Sequence, residues 1–234
     1  MPGREPGDDL EALIRRVDPD RWLTTRFIAD PAARADVAAL YVFAYELARA
    51  RRVAATPLTA EIRLAWWREA VDEMFGAGPV RRHPTAEALA AAVRRRLLPR
   101  EPLEAMIEGE IAALEPEALD AAAAERWAED VHGSAARLAA MILDPAAPGE
   151  AAAPAGRAFG LSLLIRSRRV DTPAARPLLR SALAEARRAA PGLGVAAFPA
   201  ALPARLARGD LAARPPGGLA KRLALVLAVA TGRV

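Results

Sequence analysis

An all-α protein is predicted by three features of the 234-residue chain. Alanine, the strongest helix former, supplies much of a hydrophobic fraction of 53%. Aromatic residues make up only 5% and β-branched runs are scarce, so little in the composition favours strands. Prolines stand where first helical turns should begin, in Asp30-Pro31, His83-Pro84, Glu101-Pro102 and Thr172-Pro173. There the missing N–H costs nothing and φ is already helical. The apolar content allows a sizeable core. No internal repeat and no clear linker divides the chain, so residues 1–234 read as one helical domain.

Helices are expected first at 8–17 and 20–28. The next, 31–52, opens through Asp30 as N-cap and carries Val37, Leu40, Tyr41, Ala44, Leu47 and Ala48 as one apolar stripe. A helix over 59–75 ends at the turn-rich GAGPVRR (76–82), and His83-Pro84 then opens 84–97. Glu101-Pro102 opens 102–114. The stretch 117–143 reads as one long helix or two. The turn-rich DPAAPGEAAAP (144–154) separates it from 152–169. Thr172, a good N-cap, precedes 173–190, and helices at 199–208 and 219–231 complete the chain. No heptad pattern persists long enough for a coiled coil.

The chain has no cysteine, which excludes disulfides and thiolate metal sites and fits a reducing compartment. Lys221 is the one lysine among arginines, a usage that reflects a GC-rich bacterial genome. The net charge of +4 is unevenly spread. Residues 173–234 hold ten basic side chains against two acids, a net +8, which leaves −4 for the first 172. Such a basic third suits anionic lipid, nucleic acid or an acidic partner, or is simply a solvated arginine-rich surface. The opening MPGREPGDDLEAL has no apolar core and is not a secretory signal. The longest clean apolar run, LALVLAVA (223–230), is far shorter than the roughly 20 residues of a spanning helix. A cytoplasmic protein is expected, with peripheral contact at the inner membrane left open. The final segment, GGLAKRLALVLAVATGRV, reads as a last helix packed on the core, or as one lying against a membrane or an apolar partner.

Several segments in fixed order carry a resemblance. DPDRWLTTRFIADPAARADVAALYVFAYELARA (18–50), IRLAWWREAVDEMF (62–75), HPTAEAL (83–89), LEAMIEGEIAAL (103–114), WAEDVHGSAARLAAMIL (127–143) and GRAFGLSLLIRSRRVD (156–171) together resemble the squalene/phytoene synthase family. FPAALPARLARGDL (198–211) also fits. The resemblance implies an isoprenoid-synthase fold, a helical bundle around a central cavity. It also implies head-to-head condensation of prenyl diphosphates, with Mg²⁺ held by two aspartate-rich motifs. The chemistry needs those acids, because a diphosphate leaves only when its charge is neutralised and Mg²⁺ is a hard cation that seeks carboxylate oxygens.

This chain departs from both motifs. Tyr41 and Phe43 match the lead-in to the first, but Tyr45 stands where the family has an arginine. Ala48, Arg49 and Arg52 stand where it has acids. Glu46 lies about 160° round the helix from Ala48 and is expected to pair with a neighbouring arginine. In the second motif Arg166 matches, Leu163 and Ser167 replace an asparagine and an aspartate, and Asp171 survives. Loss of metal-dependent ionisation is therefore expected. The wording YVFAYELAR, IRLAWWREA and HPTAEAL resembles the branch that lacks the acids, which includes the mitochondrial assembly factor for respiratory complex I.

The candidate ligand-binding residues are Tyr41, Tyr45, Arg49, Arg52, Trp66, Arg166 and Asp171. Arg49, Arg52 and Arg166 could grip a phosphate without metal through fork-shaped hydrogen bonds, or could pair with acids at the cavity mouth. Adjacent Trp66 and Trp67 cannot face the same way, so one should pack in the core while the other lines a cavity or interface. His83 and His132 have no second histidine at metal-ligand spacing, and His132 reads as a hydrogen-bonded helix residue. Gly192 and Gly194 lack the setting of a dinucleotide fingerprint. No basic stripe interleaved with aromatics points to nucleic acid.

Three functions follow. The first is a non-catalytic assembly or scaffold factor with protein partners, respiratory complex subunits among them, and with a prenyl or lipid ligand. The second is an active prenyl-diphosphate synthase, which would need Mg²⁺ and replacement acids such as Glu108, Glu110 or Asp171. The third is a metal-free prenyl-phosphate-binding protein. No catalytic or metal-ligating residue is assigned, and a cofactor, Mg²⁺, enters only with the second.

Overall fold

The computed structural model describes residues 6–114, 118–211 and 217–234. Thirteen α-helices follow one another among them: α1 Pro6–Val17, α2 Pro19–Thr25, α3 Pro31–Arg52, α4 Pro57–Phe75, α5 Pro84–Arg96, α6 Glu101–Ala112, α7 Ala121–Trp127, α8 Ser134–Leu143, α9 Ala153–Arg166, α10 Thr172–Ala189, α11 Gly194–Ala197, α12 Leu202–Ala207 and α13 Gly218–Thr231. The only extended pairing in the described residues is an isolated bridge between Leu119 and Val170. The all-α expectation holds.

Local chemistry sets the helix starts. Pro19, Pro31, Pro57 and Pro84 each occupy the first position of a helix. Asp30 accepts hydrogen bonds from the amides of Ala32 and Ala33, so it caps α3 as expected. Asp18 and Thr56 do the same for α2 and α4. The cap before α10 is Asp171 rather than Thr172, and its side chain makes no capping bond. The expected helix 20–28 stops at Thr25, and 199–208 is α12 flanked by short 3₁₀ turns.

The stretch 117–143 is neither one regular helix nor two separate ones. Glu117 lies outside the described residues. Beyond it, α7 runs into a π-helical turn, Ala128–Gly133, and continues without a break as α8. Three glycines bring neighbouring helices against that turn. A Cβ on Gly156 of α9 would lie 2.0 Å from the His132 carbonyl oxygen, and one on Gly160 would lie 2.7 Å from the His132 ring. From α6, a Cβ on Gly109 would lie 2.8 Å from Val131.

Helix α3 runs through the core. Leu40, Val42, Phe43 and Leu47 are wholly buried in it, and one contiguous apolar cluster extends from Leu10 to Val234. Each such side chain contributes roughly 1.5–3 kcal/mol relative to exposure. Phe43 meets the edge of Trp67 at 5.3 Å, and Trp67 in turn meets Trp66 and His83. Among the described residues no helix is long and apolar enough to cross a membrane.

Candidate functional site

Cavities open on both sides of α3. The larger, about 580 Å³, lies between α2, α3, α9 and the start of α13. Ala44, Tyr45, Ala48, Arg51 and Arg52 of α3 face it, as do Leu163 and Arg166 of α9 and the following Ser167. This is the i, i+4 geometry expected of a metal motif, since Ala48 and Arg52 project on one side of the helix. The donor set is wrong for Mg²⁺: an alanine, an arginine, a leucine and a serine stand at the motif positions, and the hard cation needs oxygen ligands.

The cavity is basic instead. Arg21, Arg51, Arg52, Arg166, Arg169 and Lys221 line it against two carboxylates, Asp18 and Asp20. Asp20 accepts from Arg166 at 2.8 Å and from Lys221 at 2.6 Å. Burial pushes the Asp20 carboxyl up, but those two cations outweigh it and hold the group below the usual carboxylate range. Asp18 goes the other way, because burial outweighs the Arg21 charge and raises it. Arg51 donates to Glu110, a fully buried carboxylate, at 3.1 Å. Arg52 sits 5.3 Å over the Tyr45 ring, a cation–π contact that leaves its N–H groups available.

Arg21 forms the floor. It is only 4% exposed, with its guanidinium 4.8 Å over the Tyr41 ring and 5.0 Å over that of Phe159. It donates to Nδ1 of His132, which fixes that imidazole as the Nε2-protonated tautomer. Burial, reinforced by the Arg21 and Arg166 charges, pushes His132 well below its ordinary value, so the ring is neutral. Nε1 of Trp127 is buried at the cavity wall without a hydrogen-bond partner, and Nε of Arg21 has the Asp18 carboxylate 3.9 Å away, beyond hydrogen-bond distance. Most of these cations already have polar partners; among the described residues of the lining, Arg52, stacked on Tyr45, is the one whose guanidinium could turn to an anion in the cavity.

The structure divides the seven sequence candidates. Tyr45, Arg52 and Arg166 meet in this cavity. Tyr41 lies beneath it, buried, with its hydroxyl pushed up to about 12 by desolvation. Arg49 does not belong to it. It stands about 100° round α3 from Ala48, pairs with Glu46 at 3.1 Å, and lines the second cavity of about 420 Å³. Trp66 lines that second cavity too, under the Arg81 guanidinium at 4.7 Å, while Trp67 packs in the core. Asp171 is exposed at the start of α10 and lines neither. The replacement acids do not converge: Glu108 pairs with Arg68 at the surface and Glu110 with Arg51 inside. Among the described residues no three His, Cys, Asp or Glu side chains stand close enough to hold a metal ion.

Sequence reasoning missed Arg21, Asp20, Arg51 and Lys221. Asp20 and Lys221 are 201 residues apart in the chain, and no local pattern joins them.

The all-α bundle has the isoprenoid-synthase fold, as its likeness to a solved protein of that fold shows. The squalene/phytoene synthase family model matches residues 14–179, and the chain belongs to that family. Its structure is similar to that of a dehydrosqualene synthase solved in complex with ligand, with a TM-score of 0.68, 15% identity and 95% of each chain covered. At that identity the likeness speaks for the fold alone. A comparison with curated proteins gives no match.

Proposed function

We propose that the chain is a non-catalytic member of its family, serving as an assembly or scaffold factor of the respiratory complex I kind and holding a prenyl or lipid phosphate in its basic cavity. One observation carries the reading. Ala48, Arg52 and Ser167, at positions where the resemblance implies carboxylates, converge on a single cavity with Leu163, which stands where it implies an asparagine, and six cations line it. An arginine at a metal position both removes a ligand and repels the ion. A diphosphate placed there would meet guanidinium groups that bind it. It would lack the Mg²⁺ that helps it depart. Binding would then be retained and ionisation lost.

The enzyme reading has the family match behind it, but the replacement acids do not converge: Glu108 and Glu110 pair with Arg68 and Arg51, and Asp171 does not line the cavity. The assembly reading rests on the wording of 41–49 and 62–70 together with this change of charge. Its test is genetic. Deleting the gene in its host should lower assembled complex I and its NADH oxidation while leaving squalene and carotenoid levels unchanged. Lower isoprenoid levels with normal complex I would refute it.

A further inference from the structure

Helix α13 is amphipathic the wrong way round. Its inner face is Lys221, Leu225 and Ala228, at i, i+4 and i+7. Leu225 and Ala228 are buried, and Lys221 reaches Asp20, which fixes the rotation of the helix against the body. The opposite face should be polar in a helix bathed in water. It is instead Leu219, Leu223, Val226 and Leu227, exposed by 72%, 56%, 53% and 59%. Ala230 and Val229 extend it, and Arg222 stands at its flank. The stripe runs the length of a 14-residue helix, or about 21 Å. Contiguous exposed apolar surface of this kind marks an interaction site.

Charge says what covers it. After Asp210 the chain contains no acid, and Lys221, Arg222 and Arg233 lie on or just beyond α13. Arg205 and Arg208 come from α12 and the turn after it, which packs on α13. Arg187 of α10 donates to the main-chain oxygen of Val234, so α10 brings another cation to the same end. Arg205, Arg208 and Arg187 lie near enough that, after burial, their mutual repulsion lowers the Arg205 guanidinium. Among the described residues none of Arg205, Arg208, Arg222 and Arg233 forms an ion pair. Apolar side chains with unpaired cations on the same helix and on the element packed against it fit the boundary between anionic headgroups and acyl chains. An acidic protein groove would match the charge, but nothing on this helix shows the polar pattern of a protein rim. The helix is too short to span.

We propose that the outward face of α13 docks in the plane of an anionic lipid surface, with Leu219, Leu223, Val226 and Leu227 inserted and the surrounding arginines on the headgroups. Because Lys221 both belongs to α13 and lines the basic cavity, docking would place that cavity beside the lipid.

The test is co-sedimentation of the full chain with extruded vesicles. Vesicles mixing phosphatidylglycerol with phosphatidylcholine should carry the protein down, and pure phosphatidylcholine should do so at least about tenfold more weakly, with added salt weakening the difference. The double variant Leu223→Ser, Leu227→Ser should lower partitioning by about tenfold or more. Both side chains are exposed, so circular dichroism should show an unchanged fold. Absence of sedimentation with the mixed vesicles would overturn the proposal. So would a double variant that binds like the parent, or light scattering that shows a dimer abolished by the same variant in place of vesicle binding.

Discussion

Replacing Gly156 by alanine should be among the most damaging single-methyl changes in the molecule. The added Cβ would lie 2.0 Å from the His132 carbonyl oxygen, 2.6 Å from its carbon and 2.8 Å from the Ala136 Cβ, where ordinary contact begins at 3.4 Å. Two of those atoms are backbone of the π turn and cannot swing aside as the end of a side chain could. Helix α9 must therefore back away by roughly an ångström along a face that also carries Phe159 and Leu164, opening voids in the core. Overpacking of this severity costs about 3 kcal/mol or more. For a chain of this length that corresponds to a fall of about 6–12 °C in Tm. Thermal denaturation followed by circular dichroism measures it, with Gly78→Ala as control, because nothing lies within 4 Å of a Cβ there. A Gly156→Ala protein melting within about 1 °C of the parent would refute the reasoning that this close approach is fixed.

Three further outcomes follow. Arg52→Ala should weaken binding of pyrophosphate about ten- to a hundredfold, the loss of one charge-assisted hydrogen bond, while Arg49→Ala, paired with Glu46 on the other side of α3, should not; isothermal titration with and without a chelator distinguishes them. Arg51→Ala removes the hydrogen-bonded partner of the fully buried Glu110 and should cost about 3–5 kcal/mol in urea denaturation; a loss under about 1 kcal/mol would show that water or the nearby Arg169 takes over the carboxylate. His132 is held neutral in the folded protein, well below the ordinary value of 6.5, so only the unfolded chain takes up a proton there. Stability from this group is full above 6.5 and declines as pH falls below it; His132→Gln should flatten the slope of stability between neutral pH and about pH 5.

The helices were legible because their signals are local. Proline with its fixed φ marked the starts of α3, α5 and α10 to within a residue, and the 37–48 stripe gave the buried face of α3. The π turn was not legible: WAEDVHGS carries good helix-forming spacing, and what holds the turn is the close approach of Gly109, Gly156 and Gly160 from two other helices. The site was half legible. Motif spacing placed Ala48, Arg52 and Arg166 in one cavity, but the 100° between successive residues sends Arg49 to the far side and brings Arg51 round instead. Arg21 and Lys221 join through tertiary packing alone. The outward apolar face of α13 was readable as a segment but not as a face. Which side of an apolar helix meets the body is decided by Lys221 reaching Asp20.

Turnover tests the central claim most directly. The purified chain, shown folded by circular dichroism, is incubated with farnesyl or geranylgeranyl diphosphate, with and without Mg²⁺, and pyrophosphate and condensed product are measured. With Ala48, Arg52, Leu163 and Ser167 at the metal positions, release should not exceed that of a heat-killed control under either condition. Mg²⁺-dependent release of pyrophosphate with formation of a condensed hydrocarbon would contradict the account and require carboxylates to reach the cavity from elsewhere.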